Sequence, residues 1–144
     1  MNRVERHTSA TPAQVWSVLS NGWLYASWVV GAARIRDVDH SWPQTGSKIH
    51  HSVGVWPVLL NDETESVESK AGLLELSAAG WPFGRARIRM TIEKDGDGSL
   101  IGMEEFVETV PLRWIPPMIQ ETAMSPRLNE CLKRLAMLAE NHAA

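Results

Sequence analysis

Cysteine is nearly missing from this chain. Cys131 is the only one in 144 residues, so no disulfide can close within it, and a reducing, cytoplasmic setting is the natural expectation. No apolar run approaches the length needed to cross a bilayer, so no membrane span is expected. The stretch Met1–Arg6 also has no apolar core that could serve as a signal peptide. An excess of positive charge is absent as well. Lys and Arg number 14 against 17 Asp and Glu, a net −3, which argues against a nucleic-acid partner. No His, Cys, Asp or Glu grouping has metal-ligand spacing. His50 and His51 are adjacent on an expected strand and face opposite ways, so no metal and no cofactor is expected. There is no repeat, low-complexity tract or linker, and residues 1–144 read as a single domain able to bury a core. Tyr (one) and Phe (two) are scarce beside seven Trp, a bulky residue suited to a core or the wall of an apolar pocket.

What the chain does have is one long apolar stripe. Leu128, Cys131, Leu132, Leu135, Leu138 and Ala139 recur at helical spacing, while Arg127, Glu130, Lys133, Arg134 and Glu140 are assigned to the face turned to water. A helix is expected from about Pro116 to Asn141. Ser125-Pro126 carries a start signal, so a break or kink is expected there. Such a stripe requires a large apolar partner surface.

The rest of the chain supplies that surface. Residues 3–9 alternate weakly, as a first strand. Thr11-Pro12-Ala13-Gln14 fits a capping box for a helix whose stop is expected at Asn21-Gly22. A short helix is expected over Trp23–Ser27. Period-two alternation then runs from Ala32, and again through Ile49, His51, Val53 and Val55, until Pro57 interrupts it at a bend, bulge or edge. Residues 60–69 read as a polar strand anchored by Val67, and Leu74, Leu76 and Ala78 as the inner face of the next. Asp95-Gly96-Asp97-Gly98 is a hairpin turn. Folding there sets Lys94 against Ser99, Arg89 against Glu104 and Arg85 against Glu108, with Arg87 beside Phe106. The other face gathers Ala86, Ile88, Met90 and Ile92 against Ile101, Met103, Glu105 and Val107. Glu105 is the one charged residue in that apolar row. Two short helices, antiparallel strands and a long last helix make an α+β domain, its sheet bent around the helix with a cavity between them.

The order of a strand, a Thr-Pro-x-x-Val-Trp helix, hairpins and a terminal helix resembles the START-like (SRPBCC) superfamily in its bacterial polyketide cyclase/dehydrase branch. The matching segments are Val15-Trp16, Trp28-Val29-Val30-Gly31-Ala32, His50-His51-Ser52-Val53-Gly54, Gly80-Trp81-Pro82, Glu104-Glu105 and Arg127-Leu128-Asn129-Glu130-Cys131-Leu132. The resemblance implies a helix-grip fold whose members bind or carry lipids and other hydrophobic molecules, some of them cyclising or dehydrating polyketides. It carries over no catalytic residue.

Glu105 is a candidate acid/base group, its pKa raised by desolvation, or a structural carboxylate paired for stability. His51 shares the inward parity of Ile49 and Val53. It is either a second acid/base candidate or a hydrogen-bonded core histidine. The expected ligand-cavity wall is Trp23, Trp28, Ile35, Val53, Trp56, Leu76, Trp81, Ile88, Met90, Met103, Leu128 and Leu132. Arg85, Arg87 and Arg89 read as a salt-bridged outer face, and Cys131 as an apolar filler. The favoured function is binding of a small hydrophobic molecule, a lipid, polyketide or aromatic metabolite. The alternative is a cyclase/dehydratase-type enzyme using Glu105 and His51.

Overall fold

In the computed structural model, residues 2–30, 32–55, 58–79, 85–107 and 117–141 are described. The elements run β1 (Asn2–Thr8), α1 (Pro12–Leu19), a 3-10 turn (Gly22–Leu24), α2 (Tyr25–Trp28), β2 (Ala32–Val38), β3 (Lys48–Val55), β4 (Val58–Lys70), β5 (Leu73–Ala79), β6 (Arg85–Asp95), β7 (Gly98–Val107) and α3 (Pro117–Glu140). All seven strands join one curved antiparallel sheet, ordered β1-β7-β6-β5-β4-β3-β2. Each strand therefore pairs with its chain neighbour, except that β1 closes on β7.

Local chemistry accounts for much of this. Thr11 caps α1: its hydroxyl accepts from the Gln14 N–H, and the Gln14 amide oxygen accepts from the Thr11 N–H. The turn after β6 needs Gly96 at φ +60°. A Cβ on Gly98 would collide with the Thr8 carbonyl, so the residue that starts β7 must be bare for β1 to approach. Between β6 and β7 the register has Lys94 opposite Ser99, Arg89 opposite Glu104 and Ile88 opposite Glu105, as the alternation requires. Ala86, Ile88, Met90 and Ile92 are buried, and Arg89 is exposed.

The core lies between the inner sheet face, α1, α2 and the α3 stripe. Leu128, Cys131, Leu132, Leu135 and Ala139 are all buried, joined by Ala136. The last turn of α3 is tied to β1 by a 2.6 Å hydrogen bond from the Thr8 hydroxyl to Glu140. This is the helix-grip arrangement, an α+β fold with the sheet wrapped around a long terminal helix.

Several local expectations are corrected. Helix α3 runs unbroken through Pro126, so Ser125-Pro126 is no helix start. Asn21 does not stop α1, which ends at Leu19. Its side chain instead caps the 3-10 turn by accepting from the Trp23 N–H. Val67 does not anchor β4, because a register shift between Ser66 and Glu68 places it at a bulge while Thr64 and Ser66 turn inward and are buried. On the outer face Glu104, although opposite Arg89, pairs with Arg3 of β1 at 2.6 Å. Arg87 lies 3.8 Å from Glu75 of β5. Arg85 reaches Asp62 at 3.0 Å and donates to the Glu63 and Ser77 carbonyls. The expected partner of Arg85, Glu108, lies outside the described residues, as does Pro57.

Candidate functional site

Three elements bring polar side chains together inside the apolar interior. His51 stands on the inward row of β3 beside Ile49 and opposite Ile35 of β2. Thr64 faces inward from β4 on the neighbouring strand. Tyr25 begins α2 and hangs its ring over both, 5.5 Å from the His51 ring between centroids. His51 Nε2 lies 2.7 Å from Thr64 Oγ1, and the Thr64 hydroxyl donates to the Tyr25 oxygen at 3.1 Å. Trp28, three residues after Tyr25 on α2, meets the tyrosine edge-on at 5.6 Å. Among the described residues, His51 Nδ1 is the one buried side-chain polar atom without a hydrogen-bond partner, in a residue only 2% exposed.

A second polar group lies under α3. Glu105, 3% exposed on β7, accepts from Arg127 Nη1 at 2.6 Å. Arg127 Nε also donates to the Val30 carbonyl, while the Val30 N–H donates to Cys131 Sγ. Both backbone groups of Val30, just past α2, are therefore held by side chains one turn apart on α3. The pairing corrects one expectation: Arg127, assigned to the face of α3 turned to water, is half-buried and turns its guanidinium onto Glu105. The signal in the sequence was the i, i+4 spacing of Arg127 to Cys131, which puts Arg127 at the margin of the stripe.

Burial sets the electrostatics. It holds the His51 pKa below its usual value, against the pull of Asp62 and the Ser52 backbone and helped by Arg36 and Arg85. It raises Glu105, the Arg127 charge and hydrogen bond opposing. It pushes Tyr25 up to about 12, with the Thr64 hydrogen bond opposing. The same burial raises Cys131, so its thiol stays protonated and unreactive. Arg127 and Glu105 both act on the Tyr25 hydroxyl, which places the two polar groups in one electrostatic neighbourhood.

Of the expected wall residues, Trp28, Leu76, Ile88, Met90, Met103, Leu128 and Leu132 are buried in a single cluster, with Ile35 packed half-buried against it. Trp23 is instead 57% exposed, because the 3-10 turn directs Gly22 inward and its neighbour outward. The Val53 side chain, Trp56 and Trp81 lie outside the described residues. Tyr25, Thr64 and Arg127 were missed by the sequence reading. Among the described residues no group of three His, Cys, Asp or Glu is placed to hold a metal, and no helix is long and apolar enough to cross a membrane. A separate groove of about 520 Å3 is polar, lined by Arg36, Asn61, Asp62, Glu63, Glu65, Ser77 and Arg85. Glu63, Glu65, Ser77 and Arg85 alternate with the buried inner row, so this groove opens on the outer face.

The family model described as polyketide cyclase / dehydrase and lipid transport matches residues 3–140. No curated protein matches the sequence. Among solved structures, one from Nitrosomonas europaea superposes with a TM-score of 0.73 at 14% identity, covering 96% of this chain and 92% of that one. Ara h 8.0201 gives 0.69 at 9% identity, with 97% of each chain covered. StfQ, a di-domain ARO/CYC of the steffimycin biosynthetic pathway, gives 0.70 at 8% identity, covering 96% of this chain and 49% of that chain. At these identities the likeness is one of fold.

Proposed function

Since the chain belongs to the polyketide cyclase/dehydrase and lipid transport family, in the START-like superfamily, we propose that it binds a small hydrophobic molecule between the sheet and α3. The observation that carries this reading is a set of buried polar groups, one of them unsatisfied, set among apolar side chains. A core built only for stability leaves few such groups. Here Ile35, Leu76, Ile88, Met90, Met103, Leu128 and Leu132 supply the apolar wall, and Trp28 and Tyr25 supply flat aromatic contact. This is the composition expected of a site that holds its ligand by area and orients it by a few polar contacts.

Native mass spectrometry of the purified protein tests the proposal. A co-purifying lipid or aromatic compound, displaced by added hydrophobic ligands, is the expected result. A protein that carries nothing and binds no apolar probe would refute it.

One observation favours an enzyme as the second reading. His51 and Glu105 are both pushed toward their neutral forms: burial raises Glu105 toward neutral pH, as an acid needs, and lowers His51, which keeps its imidazole an unprotonated base there. In that reading the co-purified compound is chemically altered on incubation, and Glu105→Gln abolishes the conversion while leaving binding intact.

A further inference from the structure

A guanidinium can only donate, so the direction of every hydrogen bond that Arg127 makes is fixed by its chemistry. Its planar fork is held at two points. Nε donates to the Val30 carbonyl, and Nη1 donates to Glu105 Oε2 at 2.6 Å. Two fixed nitrogens fix the plane of the group and set the third in place. Among the described residues that third nitrogen, Nη2, has no partner. Arg127 and Glu105 therefore meet through one nitrogen and one oxygen, not through the paired fork that a guanidinium and a carboxylate form when each serves only the other.

This donor stands beside the apolar interior. Leu128 and Cys131, its neighbours on α3, are fully buried. Glu105 lies two residues from buried Met103 and opposite buried Ile88, and Val30 follows Trp28 at the end of α2. The Arg127 side chain is 30% exposed against 3% for Glu105, so the guanidinium sits at the margin of the interior with the carboxylate on its inner side. Glu105 cancels its charge there. A ligand carboxylate would have to share one cation with a second carboxylate, and like charges repel strongly where water is scarce. A carbonyl oxygen accepts the same hydrogen bond and brings no charge.

We propose that Arg127 Nη2 is the polar anchor of the bound molecule and donates to a neutral carbonyl oxygen, while Glu105 screens out carboxylates. The ligand class is then an apolar skeleton bearing a ketone, ester or amide carbonyl, rather than a plain hydrocarbon or a free acid. Glu105 and the Val30 carbonyl are the groups that position the fork. This assignment rests on the hydrophobic-binding reading above and adds the chemistry of the group recognised.

Binding at pH 7 is measured for fluorene, 9-fluorenone and fluorene-9-carboxylate, and for the smaller indane, indan-1-one and indane-1-carboxylate. Each trio shares a skeleton and differs in offering CH2, C=O or a carboxylate. The ketone should bind at least tenfold tighter than both partners, about 1.4 kcal/mol, and should shift the Arg127 side-chain resonances of the 15N-labelled protein where the hydrocarbon does not. Equal binding of hydrocarbon and ketone, or a ketone that leaves those resonances unmoved, would overturn the anchor while leaving the hydrophobic site standing. Arg127→Met should bring the ketone down to the affinity of the hydrocarbon, and a ketone preference that survives in it would also overturn the anchor. The resonance shift in the unaltered protein decides the matter if that variant does not fold. Glu105→Gln keeps the shape and removes the charge, so the affinity ratio should move toward the carboxylate by about tenfold or more. An unmoved ratio would overturn the screening role. Binding of none of the six would instead sink the hydrophobic-site reading, and the anchor with it.

Discussion

Replacing Arg127 by Met should produce a destabilisation whose size depends on pH, and that dependence separates charge from packing. Met keeps the aliphatic stem and helix propensity of Arg and removes only the guanidinium. Glu105 is then left buried, with the partner that held it at 2.6 Å gone. Breaking a fully buried pair costs about 3–5 kcal/mol. Here the cost has a ceiling, because an abandoned carboxylate can take up a proton instead. From an ordinary value of 4.5, holding that proton at pH 7 costs about 3.4 kcal/mol, and at pH 5 only about 0.7 kcal/mol. The Arg127 side chain is 30% exposed, so the loss at pH 7 should fall somewhat below the ceiling, near 3 kcal/mol. For a domain of this length that is a drop in Tm of roughly 6–12 °C. Urea unfolding of the native chain, Arg127→Met, Glu105→Gln and the double variant, at pH 7 and pH 5, measures all of it. Glu105→Gln alone should cost only about 1 kcal/mol, since the remaining cation can hydrate through its exposed side. In the double variant the Glu105→Gln change removes the stranded charge, so the cost at pH 7 should not exceed that of Arg127→Met. An Arg127→Met cost that is equal at both pH values would refute the electrostatic argument, as would fully additive single costs.

Leu135→Asp places an unpaired charge at a fully buried position of the α3 stripe and should unfold the domain; a near-native Tm would mean that α3 packs by another face. Arg89→Ala removes an exposed side chain from the outer face and should change stability by no more than about 1 kcal/mol in denaturant titration, with several kcal/mol indicating that the faces of β6 are misassigned. Burial, helped by Arg36 and Arg85 and opposed by Asp62 and the Ser52 backbone, holds the folded pKa of His51 below its unfolded 6.5, so the unfolded chain takes up a proton that the folded chain refuses. Its stability contribution is present above pH 6.5 and is lost at up to about 1.4 kcal/mol per pH unit as pH falls toward the folded value. The stability of the native chain relative to His51→Phe should accordingly fall on acidification from pH 7, and a pH-independent offset would contradict the buried neutral ring.

What could be read from the amino acids alone was what short-range chemistry dictates. The Thr11–Gln14 box, the glycine turn before β7, the α3 stripe and the β6–β7 register all rest on residues within a few positions, or on pairing across one tight turn. The register in turn exposed Glu105 as a charge in an apolar row, and parity alone turned His51 inward. Where local signals competed with packing, packing prevailed. Pro126 sits inside α3, and Val67 yields the inner face of β4 to Thr64 and Ser66. The meeting of distant segments was decided only by the tertiary structure. Alternation says which side a residue faces but not which strand or helix lies opposite, so Arg127 could not be matched to Glu105, 22 residues away. Nor could Tyr25 be brought onto Thr64, 39 residues on. Polar side chains at the margin of a helix or on a polar-looking strand are assigned to water by pattern. They became interior groups because α2 and α3 close over the sheet, and a buried polar atom must then find its partner in three dimensions.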